Sequence, residues 1–182
     1  MNDDLSTALT LITAPSAEPI TLSQAKAFLR IEHTGDDAAI TLGITAARQH
    51  AEHYLRTALL PQVWEYKIAN PCFASVSLPL GPAQSIVSVN ATTLNGATTA
   101  LNAATYRLSV DGRKVIFDPF PNTDILSIRY SASLVANAAD VPPLITQGML
   151  HHVAAMMETR DGKAPLPVQS INLYQPYRRI SL

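Results

Sequence analysis

The sequence predicts an α+β fold: a helical frame of two N-terminal helices and one C-terminal helix, an inserted small antiparallel β-region, and an extended C-terminal arm. Three observations carry this. Apolar residues recur at threes and fours over residues 36–60 and again over 143–160, the period of a helix with one buried face. Between them, over about Val63–Tyr130, apolar and polar residues alternate, and glycine, proline and Asn-Gly signals punctuate the alternation. After Gly162 the chain remains apolar and carries Pro165, Pro167 and Pro176, but shows no helical period. The expected organisation is one domain over residues 1–162, with 63–130 as an insertion between helices, followed by an arm over 163–182.

Taken in order, residues 1–20 are polar and marked by Pro15 and Pro19, which predicts an extended segment, poorly ordered at its start. Thr21 with Gln24 three residues on is a capping box, in which each side chain satisfies the other residue's backbone N–H. Leu22, Ala25, Phe28 and Leu29 then form one face of a short helix that ends near Ile31. Asp36 and Asp37 open a second helix, where acids favour the positive end of the dipole. Ile40, Ile44, Ala47, Ala51, Tyr54 and Leu55 make its stripe, while Arg48, Glu52 and Arg56 share the opposite face at i, i+4 and can pair. Pro61 closes the segment.

Val63–Ile68 reads as a strand whose Trp64, Tyr66 and Ile68 give it a mostly aromatic face. Ser75–Leu80 and Ser85–Thr92 are further strands, and Asn95-Gly96 is a turn. Tyr106–Val110 and Val115–Phe117 flank Asp111-Gly112 as a two-residue hairpin, and Ile125–Tyr130 is the last strand. Asp140-Val141-Pro142-Pro143 introduces the closing helix, with Leu144, Ile145, Met149, Val153, Met156 and Met157 on its apolar side. No repeat of fixed period occurs.

Composition narrows the function. At 182 residues the chain can bury roughly 70% of its unfolded surface, enough for a core without disulfides or metal. Charged residues are only 15%, well below the roughly 25% of an average soluble domain, which suggests that a partner covers part of the surface. Lys and Arg number 13 against 14 Asp and Glu, a net charge of -1, which excludes a strongly basic nucleic-acid binder. Cys72 is the lone cysteine, so neither an internal disulfide nor a thiolate zinc site can form within one chain. The opening MNDDLSTALT lacks a basic n-region, and no apolar run reaches the length of a membrane helix, so synthesis in the cytosol is expected, with no membrane partner.

No reaction chemistry assembles. His50 and His53 have a metal-compatible i, i+3 spacing, but a third ligand is not evident and the pair reads as a polar helix edge. His151 and His152 project about 100° apart, so one of them faces the core or a neighbouring subunit. Cys72 follows Pro71 without a base and orienting group, and reads as a small turn or core residue. Nucleophile-elbow and phosphate-loop motifs are absent. The expectation is therefore no enzyme, no catalytic residue, no cofactor and no metal. The arm is different. Its large apolar residues would form an exposed patch in water, so it is expected to reach onto a partner, with Leu173, Tyr174 and Tyr177 as contacts and Arg178 and Arg179 pairing with acids. The alternative is that it folds back over its own closing helix.

Four stretches resemble, in order, the head–tail connector (adaptor) family of long-tailed phages and prophages. They are LITAPSAEPITLSQAKAFLRI, DDAAITLGITAARQHAEHYLRTALLPQVWEY, LPLGPAQSIVSV and DVPPLITQGMLHHVAAMMETRDG. The loop from Thr92 to Ala104 and the tail after Gly162 match no such motif. The resemblance implies a structural virion subunit: a ring, commonly twelve-fold, beneath the portal protein, joining head to tail and continuing the DNA channel. It further implies portal and tail or stopper proteins as partners, DNA passing through the lumen without specific binding, and a place in the virion neck after assembly in the host cytoplasm. The alternatives are a tail-terminator or stopper protein of the same neck, or an unrelated small-ligand or enzymatic domain using the Trp64 and Tyr66 face, which would need convergent polar groups there.

Overall fold

A computed structural model describes residues 6–71, 74–159 and 165–178. The chain is α+β. It divides into two compact units, Met1–Pro15 with Pro61–Leu134, and Ser16–Leu60 with Val135–Leu182, instead of a domain followed by a separate arm.

The first unit is built of strands. Strand β1 (Thr7–Thr13), β2 (Gln62–Ala69), β4 (Ala83–Thr92), β5 (Thr98–Ala100) and β8 (Ile125–Ala132) form a five-stranded antiparallel sheet in the order β1-β2-β8-β4-β5. A three-stranded sheet holds β3 (Ser75–Ser77), β7 (Lys114–Phe117) and β6 (Tyr106–Leu108). Register and pleat sort the larger sheet into two faces. On one lie Leu9, Leu11, Trp64, Tyr66, Ile68, Leu126, Ile128, Tyr130, Ile86 and Val89; on the other Thr10, Glu65, Lys67, Ser127, Arg129, Ser131, Ser85 and Ser88. Ile12 and Val87 escape this sorting. Each sits at a register shift, and a bulge turns its side chain outward, which explains exposed apolar residues within strands.

Three expectations for this unit are corrected. Residues 7–13 are not merely an extended segment: they form a strand, T-A-L-T-L-I-T, that pairs with β2, so Leu9 and Leu11 join its aromatic face, while residues 1–5 lie outside the described residues. The hairpin after β6 is not a two-residue turn. Ser109 Oγ accepts the N–H groups of both Arg113 and Lys114, and Gly112 N–H bonds Ser109 carbonyl, so the connection runs Ser109–Arg113. Gly112 has φ +66°, and a Cβ there would stand 2.6 Å from the Ala83 carbonyl, so glycine is required twice over. Finally, β8 continues to Ala132 rather than ending at Tyr130. Cys72 lies outside the described residues.

The second unit is helical: α1 (Leu22–Leu29), α2 (Asp37–Leu55), α3 (Pro143–Thr159) and α4 (Val168–Tyr174), followed by a 3-10 turn at Gln175–Tyr177. The Thr21–Gln24 capping box forms as the sequence implies. Ile40, Ile44, Ala47, Ala51 and Leu55 of α2 are buried with Ile145, Met149 and Val153 of α3. Leu144, expected on the apolar side, is instead exposed. Helix α2 ends sooner than expected. Arg56 takes a left-handed conformation, and residues 57–60 run on as buried non-helical chain.

The extended arm is also corrected. Residues 168–177 are helical and pack on α3. Ser170, Tyr174 and Tyr177 follow one another at i, i+4 and i+7, but a stripe begun by a serine on a single short helix is invisible to an apolar-only reading. Ser170 Oγ donates to the Gly148 carbonyl at 2.8 Å, and the Tyr174 ring lies flat over Gly148, where any Cβ would fall inside van der Waals contact with it. Gly148→Ala therefore overpacks the α3–α4 contact. We expect a net loss of about 1–2 kcal/mol and a lower Tm, partly restored by adding Tyr174→Leu. Equal Tm values for wild type and Gly148→Ala would refute the contact.

Candidate functional site

The residues expected to meet a partner separate once placed. Tyr174 is fully buried within the chain's own core, beside Tyr54 at 6.0 Å between ring centroids, and burial pushes its phenol well above the ordinary tyrosine range. It is a core residue, which corrects its expected place as an anchor reaching outward. Leu173 and Tyr177 are half-buried and Arg178 is exposed, its guanidinium stacked over Tyr54 at 4.9 Å. Leu173, Tyr177 and Arg178 thus form an accessible rim around the point where Tyr174 plugs the helical unit. Arg179 lies outside the described residues.

The alternative reading, a small-ligand or enzymatic domain, would place its pocket on the face of Trp64 and Tyr66. The neighbours of that face across the strands are Leu11, Leu9, Tyr130 and Ile128, which are apolar or aromatic; Gln62, at the start of β2, shares this face, while Glu65 and Lys67 point to the other side. There Glu65 lies 3.2 Å from Lys67 and 3.1 Å from Arg129. Burial opposes ionisation of Glu65, but hydrogen bonds from Lys67 and Arg129 outweigh it and hold its pKa below the usual carboxylate value. One carboxylate against two cations leaves this cluster with a net charge of +1.

The histidines are distributed by packing. His152 is fully buried on α3 and stands edge-on to His50 of α2, ring centroids 4.9 Å apart; His151 packs against Phe28 at 5.2 Å. Among the described residues no group of three or more His, Cys, Asp or Glu side chains is placed to hold a metal ion, and no helix is long and apolar enough to cross a membrane.

One cluster was misread from sequence. Arg48 and Glu52 do pair at i, i+4, at 2.8 Å, but not on a solvated face: their side chains are only 3% and 4% exposed. Arg48 also binds Glu18, from the chain ahead of α1, at 2.8 Å, and Glu52 accepts the Leu59 N–H at 2.9 Å. Helical spacing revealed the pair; nothing local could reveal Glu18, thirty residues away. Arg56 leaves the helix as its left-handed C-cap. Arg48→Met would remove the buried guanidinium that both Glu18 and Glu52 bind. We expect about 3–5 kcal/mol of destabilisation by chemical denaturation, far more than for a surface pair. A loss under 1 kcal/mol would show that Arg48 is not the clasp.

Comparison with known proteins adds the following. The family described as "Phage gp6-like head-tail connector protein" matches residues 19–121, which include the first helices, β2–β4 and the hairpin; the stretch 140–162 lies beyond it. No curated protein matches. Among solved structures, a chain from the neck of an empty GTA particle, computed with C6 symmetry, aligns over 96% of this chain and 97% of its own at TM-score 0.79 and 20% identity. A chain from the virion of a native gene transfer agent (GTA) particle aligns over 96% of each at TM-score 0.75 and 21% identity. One from the neck of the native GTA particle, computed with C12 symmetry, gives 0.73 and 21% over 96% and 97%. At these identities the likeness is one of fold.

Proposed function

This chain belongs to the phage gp6-like head-tail connector protein family, and from that premise we propose that it is a structural subunit of a phage or phage-like particle. In this reading it forms a homo-oligomeric ring beneath the portal, commonly twelve-fold, joins head to tail, and continues the DNA channel. It performs no reaction of its own. It assembles in the host cytoplasm and ends in the virion neck, between the portal and a tail or stopper protein.

The observation that carries this reading is the family match, supported by a fold alike from end to end to chains of GTA particles, two of them from necks computed with C6 and C12 symmetry. Chemistry is consistent with a conduit. A net charge of -1 with sparse Lys and Arg avoids the phosphate grip that a basic lumen would exert. Heterologous contacts, the same two different patches meeting around a closed ring, suit a chain whose surface carries apolar residues such as Leu42 and Leu94.

The rim of Leu173, Tyr177 and Arg178 is proposed as part of the portal contact. Tyr174 holds it in place from behind instead of reaching out itself. The direct test is electron microscopy of the purified protein mixed with portal from the same particle: rings seated on the portal are expected, and portal that stays bare at saturating concentrations overturns the reading. Within that complex, Arg178→Glu should weaken portal binding about tenfold or more while Tm changes little. Unaltered affinity would remove the rim from the contact and leave the ring intact.

A further inference from the structure

Among the described residues, both edges of the five-stranded sheet are unguarded. Edge strands present a row of unpaired N–H and C=O groups, and proteins blunt them with charge, proline or cover. Here β1 holds the outer place beside β2, and β5 holds the other beside β4. Residues 6–13, Ser-Thr-Ala-Leu-Thr-Leu-Ile-Thr, contain no charge and no proline, and neither does any residue from Thr92 to Thr105. The bulge in β1 falls at Ile12, beyond the regular stretch 7–11.

The ladder fixes which backbone groups are open. Ala69 N–H bonds the Ser6 carbonyl, so by alternation Ser6, Ala8 and Thr10 turn toward β2, and Thr7, Leu9 and Leu11 turn outward. On the far side, Leu101 N–H bonds the Val89 carbonyl and Ala97 carbonyl accepts Thr93 N–H. Ala97, Thr99 and Leu101 therefore face β4, and Thr98 and Ala100 face outward. Five strands that all pair antiparallel leave the first and last running in the same direction. A rotation that carries one copy to the next can thus lay β5 beside the neighbour's β1 as a parallel pair, in the same way at every step.

We propose that β1 and β5 are the two halves of one subunit contact, β5 of each protomer adding to β1 of the next copy of this chain, so that the sheet continues between protomers. The occupant is a second copy because the two unguarded edges are uncharged alike, run in the same direction, and are both consumed by a single head-to-tail operation. This rests on the ring reading above and names the surface that would build it.

The test uses proline at outward-facing positions, where it removes an open donor without touching the chain's own ladder. Wild type, Leu9→Pro and Ala100→Pro are followed by sedimentation velocity over a concentration series, alone and with portal rings present, with Tm recorded for each. Each variant should remain unassembled at concentrations where wild type forms rings. Mixed one to one, the two variants should form nothing larger than a weak dimer seen at the highest concentrations, because one good β1 edge meets one good β5 edge and both remaining edges are blocked. Should Leu9→Pro fold poorly, Thr10→Lys places a guarding charge on the same edge and should raise the assembly midpoint at least tenfold. Variants that form rings as wild type does overturn the edge contact and leave the connector reading standing. A wild type that forms no ring in either setting overturns that reading, and this inference with it.

Discussion

The helical unit hangs on one buried cation. Arg48 stands in the middle of α2 with its guanidinium held between Glu18 and Glu52, and through them it reaches three stretches of chain at once. Glu18 belongs to the segment that leads into α1. Glu52 lies one turn further along α2 and binds the Leu59 N–H, which fixes the non-helical run after the helix. That run in turn accepts Val135 N–H at the Leu59 carbonyl, where the chain re-enters the unit ahead of α3. A charge this deep is costly to bury, and two carboxylates with hydrogen-bonded oxygens offset the cost only in one arrangement. The apolar stripes of α2 and α3 would tolerate sliding by a small shift; the clasp does not. It sets register where hydrophobic burial alone sets only proximity.

What the sequence disclosed and what it hid follow from the range of the interactions. The Thr21–Gln24 box and the α2 stripe were legible because their partners lie within four residues. Strand β1 was hidden because prolines at 15 and 19 dominate a short window, whereas its alternation has meaning only against β2, more than fifty residues later. Helix α4 was hidden because its buried residues are a serine and a tyrosine, Ser170 and Tyr174, and because the glycine that receives them, Gly148, is on another helix. Arg48 was misplaced for the same reason: charge spacing at i, i+4 is identical for a solvated and a buried pair, and only Glu18 distinguishes them. The family resemblance was legible from ordered motifs, but those motifs say nothing of Leu173, Tyr177 or Arg178, which lie outside them.

The sparse charges of this chain are largely spent on its own internal contacts. Lys26 binds Asp37 at 2.6 Å and the His33 carbonyl, closing the loop between α1 and α2. Arg48 takes two acids, and Glu65 takes two bases on the polar face of the sheet. Elsewhere the strands meet through hydroxyls: Ser85 of β4 with Ser131 of β8, and Thr92 of β4 with Thr98 of the edge strand β5. A net charge of -1 gives such a surface little long-range attraction or repulsion, so short-range geometry weighs more in what it meets.

That balance bears on when a ring would close. An edge pair limited by the three residues of β5 offers few backbone hydrogen bonds, and parallel pairing is slightly weaker per residue than antiparallel. A single such contact is therefore weak, and open chains of protomers dissociate. Closure changes the arithmetic, because the last contact forms within one assembly at high effective concentration, and a platform that holds several protomers at once raises it further. A connector built on strong pairwise contacts would polymerise as soon as it was made. One built on short, uncharged edges would assemble where a partner has already gathered the copies, so under the proposed edge contact the smallness of β5 would tie assembly to its template.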